Sequence, residues 1–227
     1  MKREIIITGD GSKTIHIPEL DEQYHSKHGA IQEAQHVFLK TGLQHFVGSE
    51  YYNGDAPVSI LEMGFGTGLN ALLTIFKATT LGVRIEYTGV EAFPISEEEV
   101  AAMDYASQIP IPNAQKYYDE LHQAPWEKRH EIKEDFYLTK NVQSFENIID
   151  EALYDIVYFD AFGPRVQPTL WTETIFAKMY TALKPKGVLT TYCAQGAARR
   201  AMQAVGFEVE RLPGPPGKRE MLRATKV

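Results

Sequence analysis

Val58-Ser59-Ile60-Leu61-Glu62-Met63-Gly64-Phe65-Gly66-Thr67-Gly68-Leu69-Asn70 carries an apolar run straight into a glycine-rich turn. Val58 to Leu61 is short, apolar and β-branched at two positions, which suits a buried strand. Three glycines at alternate positions free the backbone to turn sharply and let a ligand approach the main chain. Leu69 to Lys77 then has helical spacing, so its first unpaired N–H groups face whatever sits on the turn. Strand, glycine turn and helix in that order are the opening unit of an open α/β sheet, where ligands lie beyond the carboxyl ends of the strands.

The same alternation continues downstream. Arg84 to Val90 is a second strand with Glu91 at its end, and Ser96 and Glu99 have the spacing of a capping box for the next helix. Gln115 to Ala124 is helical. A third strand falls within Ile132 to Val142, and Tyr154 to Phe159 is the fourth, ending at Asp160. Thr172 to Leu183 is a helix stopped by Lys184-Pro185-Lys186-Gly187. Val188 to Tyr192 is the fifth strand and Ala197 to Val205 a helix ended by Gly206. Phe207 to Leu212 and Met221 to Thr225 pair as an antiparallel hairpin. Upstream, Glu4 to Thr8 and Thr14 to Ile17 flank the turn Gly9-Asp10-Gly11, and Gly29 to Phe46 has one apolar helical face. These elements predict an α/β fold: a doubly wound, mainly parallel, Rossmann-like sheet with an antiparallel C-terminal hairpin. Residues 1–57 form a small N-terminal β-hairpin and helix, and residues 58–227 form the sheet domain.

The 227 residues hold 23 Lys and Arg against 30 Asp and Glu, a net charge of −7, and one cysteine. A disulfide scaffold is excluded, no apolar run is long enough to cross a bilayer, and the N-terminal apolar stretch is too short for a signal peptide. The cytoplasm is the expected compartment. The acidic balance by itself points away from a nucleic-acid partner.

The candidate site lies at the strand ends. The spacing G-x-G-x-G departs from the G-x-G-x-x-G dinucleotide fingerprint, and no phosphate-binding lysine follows it. Glu91 can accept the hydroxyls of a ribose. Glu62, Glu91 and Asp160 together suit a cationic ligand better than a phosphorylated one. S-adenosylmethionine, which joins a ribose, an amine and a sulfonium, meets those demands, with Glu62, Gly64, Phe65, Gly66, Thr67, Gly68, Asn70, Glu91 and Asp160 as its expected contacts. Methyl transfer is an in-line displacement in which positioning supplies most of the rate, and an amine acceptor must lose a proton. Asp160 is the expected catalytic carboxylate, and Phe162 offers an apolar wall for a base. The seven histidines show no metal spacing, so no metal is expected. Cys193, on a buried strand, reads as core.

The stretch from Glu62 to Asn70, the motif Asp160-Ala161-Phe162-Gly163-Pro164 and the following Pro168-x-x-Trp171-Thr172 resemble the methyltransferase of the MnmC/MnmD family. Ala198-Arg199-Arg200-x-Met202-Gln203-x-x-Gly206-Phe207, Gly217-Lys218-Arg219-Glu220-Met221-Leu222 and Glu33-x-x-x-Val37-Phe38-Leu39 are similar to that family as well. The resemblance implies S-adenosylmethionine-dependent methylation of the amine of 5-aminomethyl-2-thiouridine at the tRNA wobble position, giving 5-methylaminomethyl-2-thiouridine. It implies Asp160 as the catalytic aspartate. Some members are fused to an FAD-dependent oxidoreductase domain; the sequence ends at Val227 without one, so separate enzymes are expected to supply the aminomethyl precursor.

Many S-adenosylmethionine enzymes place an acid near the adenine after the third strand. Here Gln143 takes that position, or Asp135 if the strand is displaced; an amide oxygen accepts the same hydrogen bond. Nine of the 23 basic residues lie from Lys184 onward. Among them Arg199, Arg200, Lys218 and Arg219, with Arg165 beside Asp160, are the expected contacts to tRNA phosphates or the target base. Two other classes fit the glycine loop: an aminopropyltransferase of the spermidine synthase type, and a non-catalytic S-adenosylmethionine- or nucleotide-binding module.

Overall fold

A computed structural model describes residues 2–227. The N-terminal strands β1 (Glu4–Ile7) and β2 (Lys13–Ile17) pair antiparallel, Ile5 opposite Ile15, and the short β3 (Glu22–Gln23) adds to β2. A continuous helical rod follows: α1 (Ala30–Ala34), a π-helical stretch (Gln35–Gln44) and α2 (His45–Val47). Its apolar face is not left to a separate small domain. Val37, Phe38 and Leu43 are buried in the same core as Ile60 and Tyr158 of the main sheet, with Phe38 tilted against Tyr158 at 5.2 Å between ring centroids.

The main chain path continues through β4 (Val58–Met63), α3 (Leu69–Leu81), β5 (Ile85–Glu91), α4 (Glu97–Met103), α5 (Tyr105–Gln108) and α6 (Ala114–Gln123). It then forms β6 (His130–Lys133), β7 (Phe136–Val142), β8 (Tyr154–Phe159), α7 (Glu173–Ala182), β9 (Leu183–Thr191), α8 (Gly196–Ala204), β10 (Phe207–Pro213) and β11 (Glu220–Lys226). The capping box expected at Ser96 and Glu99 is formed in both directions and starts α4.

These strands make one eight-stranded sheet in the order β10-β11-β9-β8-β4-β5-β7-β6. The five inner strands β9, β8, β4, β5 and β7 run parallel, while β11, β10 and β6 are antiparallel to their neighbours. The chain leaves β4 to one side for β5 and β7, then returns to its other side for β8 and β9. That reversal opens a crevice beyond the carboxyl ends of β4 and β8.

Strand periodicity decides which side chains meet there. Val58 and Ile60 of β4, with Ile156 and Tyr158 of β8, face the helical rod and α3. Leu61, Met63, Val157 and Phe159 face α7 and α8. Glu62 continues the first alternation and so points toward α3 at the end of its strand.

Two expectations change. The region Ile132 to Val142 is two strands, because Asp135 turns left-handed (φ 67°) between β6 and β7. The Lys184-Pro185-Lys186-Gly187 segment does not separate a helix from a strand. It is carried within β9 as an irregularity, with Lys186 at φ 65° and Leu183 already paired to Tyr154.

Candidate functional site

The turn after β4 is held by backbone geometry that only glycine meets cheaply. Gly64, Gly66 and Gly68 have φ of 94°, 50° and 74°. A Cβ on Gly64 would lie 2.8 Å from the Asp160 carbonyl oxygen, so β4 and β8 converge where the turn begins. The backbone N–H of Asp160 donates to Met63 O at 3.0 Å and locks that convergence.

Three acids sit at these strand ends. Asn70, in the first turn of α3, donates from one Nδ2 to both Glu62 Oε1 and Asp160 Oδ2, each at 2.8 Å. Glu91 accepts the Gly66 N–H and the Phe93 N–H, one on each carboxylate oxygen, both at 2.9 Å. Burial pushes the Asp160 carboxyl up to about 7; the negative charge of Glu33 adds to the rise, while the Asn70 hydrogen bond and Lys218 oppose it. Burial also holds Glu62 well above the usual carboxylate range.

A cavity of about 650 Å³ opens over this end of the sheet. Gly64, Phe65, Gly66, Thr67, Asn70, Glu91 and Asp160 line one part of it, and Ala161 and Phe162 continue the wall. Glu62 does not reach the surface of the cavity; it lies behind Asn70, 1% exposed. Gly68 is not on the wall either and serves as the left-handed residue that starts α3. After β7 the wall is made by Ser144 and Phe145 rather than by Gln143, the half-buried residue before them. Asp135 is at the opposite end of β7 and faces no part of the crevice.

The cavity fits S-adenosylmethionine. Asn70, on the cavity wall, carries a buried acceptor, Oδ1, without a hydrogen-bond partner, which is the provision an ammonium group requires. The left-handed glycines leave the main chain bare on the ligand side, and the carboxylates beneath favour a cation.

Several functional side chains carried no signal in the sequence. Tyr105 Oη donates to Thr67 Oγ1 at 2.9 Å, and both Tyr118 Oη and His122 Nε2 lie 3.1 Å from Thr67 O. Because a carbonyl only accepts, His122 presents its Nε2–H there. Burial lowers its pKa to about 4, so the ring is neutral. This trio braces the glycine loop from behind. The second omission is the N-terminal segment: Arg3, Ile17, Leu20, Tyr24 and His25 all line the cavity. Tyr24 meets Phe162 edge-on at 5.2 Å. Trp171, whose motif was visible, is buried and donates from Nε1 to Phe162 O at 2.8 Å, which holds the loop after β8.

The basic residues expected at phosphates are distributed differently. Lys218 pairs with the buried Glu33, and Arg165 donates to Leu20 O and Asp21 O at 3.0 and 2.7 Å with Glu22 nearby. Both therefore fasten the N-terminal segment to the sheet domain rather than standing free for phosphate. Arg199 is half-buried on α8, whereas Arg200 and Arg219 are exposed and form no ion pair among the described residues.

A family model described as S-adenosyl-L-methionine-dependent methyltransferase matches residues 112–227. The protein of Cupriavidus metallidurans named tRNA 5-methylaminomethyl-2-thiouridine biosynthesis bifunctional protein MnmC is 30% identical over 96% of this chain and 33% of its own length. The Pseudomonas aeruginosa protein of the same name is 30% identical over 89% of this chain and 32% of its own. The chain thus spans about a third of the length of these curated relatives. Among solved structures, MnmC2 from Aquifex aeolicus superposes with a TM-score of 0.77 at 25% identity, covering 98% of this chain and 70% of that one. The spermidine synthase of Thermotoga maritima, at 14% identity and a TM-score of 0.56, shares the fold alone. The matched segment carries β8, Asp160 and every element after them, and the chain belongs to the S-adenosyl-L-methionine-dependent methyltransferase family.

Proposed function

We propose that this protein methylates the exocyclic amine of 5-aminomethyl-2-thiouridine at the wobble position of tRNA, giving 5-methylaminomethyl-2-thiouridine. The observation that carries the proposal is the place of the Asp160 carboxyl group: half-buried at the end of β8, tied to Asn70 beside the glycine loop, and facing the cavity. The two MnmC relatives, similar over most of this chain, support the choice of substrate.

S-adenosylmethionine, when bound, supplies an electrophilic methyl group on a sulfonium centre. The chain's own residues do the rest. Glu91 and the glycine loop hold the nucleoside part, with Gly66 N–H keeping the Glu91 carboxylate in place. Asn70 spans Glu62 and Asp160 and so fixes the direction of both. Asp160 orients the attacking amine and accepts its proton at a carboxylate oxygen, the work of a general base matched to neutral pH. Phe162 bounds the cavity on the side of the target base and limits water there. Exposed Arg200 and Arg219 contact tRNA phosphates, which supply affinity and a salt-dependent term but no sequence information.

A free amine is required, so enzymes that unmask it act before this one. A tRNA substrate places the reaction in the cytoplasm. Among the described residues, no helix is long and apolar enough to cross a membrane.

The test uses radiolabelled S-adenosylmethionine and tRNA from cells that lack the modification but hold the aminomethyl precursor. Label is expected in the wobble nucleoside after digestion and chromatography. Its absence there, with the precursor shown to be present, overturns the proposal.

A further inference from the structure

Two residues of the family-like motifs, Glu33 of Glu33-x-x-x-Val37-Phe38-Leu39 and Lys218 of Gly217-Lys218-Arg219-Glu220-Met221-Leu222, have no part in the scheme above, and they meet. Lys218 Nζ pairs with Glu33 Oε1. The other Glu33 oxygen accepts the Ser26 N–H at 2.8 Å, and the whole residue is only 6% exposed. The ammonium also lies over the Tyr192 ring, 3.8 Å from its centroid. Tyr192 Oη in turn donates to Ala161 O at 2.8 Å, one residue past Asp160.

The turn that presents Lys218 is tightly seated. Gly217 has φ 83°, and a Cβ there would come within 2.2 Å of the His28 ring, so the turn can press this close only without a side chain. Lys218 N–H donates to Pro215 O at 2.9 Å, and Gly214 N–H donates to Arg219 O at 3.1 Å. A surface lysine meant to follow a flexible phosphate backbone has no need of such a seat.

We propose that Lys218 and Glu33 are positioning residues for Asp160, holding its loop through Tyr192 and setting the charge that its carboxyl group meets. This rests on the reading of Asp160 as the base. The groups facing Asp160 come from every side: Glu62 on β4, Asn70 on α3, Tyr87 on β5, Tyr105 on α5, Glu33 on α1, Tyr192 after β9, and Lys218 before β11. Of these, Lys218 is the cation. Glu33 acts against ionisation of Asp160 and Lys218 for it, so the two substitutions must move Asp160 in opposite directions. His25, which also faces this pair, is neutral, its pKa lowered to about 4 by burial.

The experiment titrates Asp160 in the free protein by NMR with 13C-carboxyl-labelled aspartate, its signal assigned by its loss in Asp160→Asn. Lys218→Met is expected to raise the titration midpoint by about one pH unit and Glu33→Gln to lower it by about as much, while Lys218→Arg keeps the wild-type midpoint. At saturating S-adenosylmethionine, Lys218→Met then loses about fivefold in kcat at pH 7, regained by pH 9, with the tRNA KM within about threefold. Unmoved midpoints in both Lys218→Met and Glu33→Gln overturn the proposal. So does a raised tRNA KM with an unmoved midpoint, which makes Lys218 a phosphate contact. If Lys218→Met does not fold, Glu33→Gln and Lys218→Arg carry the same test. The titration needs no tRNA, so a failure of the proposed substrate leaves its result standing.

Discussion

At the scale of the residue, Asp160 shows how a functional site opposes stability. Its ordinary carboxyl pKa of 3.8 is raised in the folded chain to about 7, with burial the largest cause. Between those values the folded state holds more protons than the unfolded one. The stability Asp160 allows is therefore fully present below about pH 4 and is lost as pH rises through 7. Replacing it with Asn, which keeps an acceptor for Asn70, removes that loss. Asp160→Asn is expected to be more stable than wild type at pH 8 by roughly 1–3 kcal/mol, with the gain shrinking as pH falls toward 4. Urea denaturation at pH 8 and pH 5 measures this. The same variant should lose about 100-fold or more in turnover with S-adenosylmethionine affinity kept within a few-fold. A variant that is no more stable at pH 8 would mean that the carboxylate is well solvated.

At the scale of the element, the strand–turn–helix unit of β4 and α3 works because three things coincide. The glycines permit left-handed turns, the end of β8 comes close enough to touch the turn, and the trio Tyr105, Tyr118 and His122 supports Thr67 from outside. Gly64→Ala tests the first two together. Its Cβ adds a strain of about 1–2 kcal/mol at this φ and collides with the Asp160 carbonyl, so the loop or the end of β8 must shift. The expected result is a loss of at least about tenfold in S-adenosylmethionine affinity by calorimetry, with the circular dichroism spectrum unchanged. Binding within a factor of two of wild type would show that the two strand ends can separate without cost.

At the scale of the whole molecule, the N-terminal segment belongs energetically to the sheet. Its helical rod completes the core over one face, and its acids Glu33 and Glu22 pair with Lys218 and Arg165 of the sheet domain. A surface pair such as Arg165 with Glu22 contributes at most about 1 kcal/mol, so apolar burial does most of the holding. Phe38, 1% exposed against Tyr158, is the sharpest probe. Phe38→Ala is expected to destabilise the protein by about 3–5 kcal/mol and to lower a single thermal transition. Calorimetry that resolves two transitions, with only the first moved, would show that residues 1–57 fold as a unit of their own.

The sequence by itself determined the local and periodic features. The apolar run Val58 to Leu61, the alternate glycines and the capping box at Ser96 and Glu99 are decided by contacts within a few residues, so they were legible. Asp160 was legible too, because four apolar predecessors leave a strand-end acid nowhere to go but the crevice. The tertiary structure alone decided what depends on chains crossing in space. Ser144 and Phe145, rather than Gln143, line the cavity after β7, a choice made by how the chain leaves the strand end at Val142. Tyr24 and Leu20 entered the cavity because the N-terminal segment folds over the strand ends. Lys218 left the pool of free cations because Glu33, 185 positions earlier, was brought beside it. Charge along a sequence counts cations, but only packing shows which of them have already been neutralised by a partner, and that is why the basic C-terminal region read as a phosphate surface.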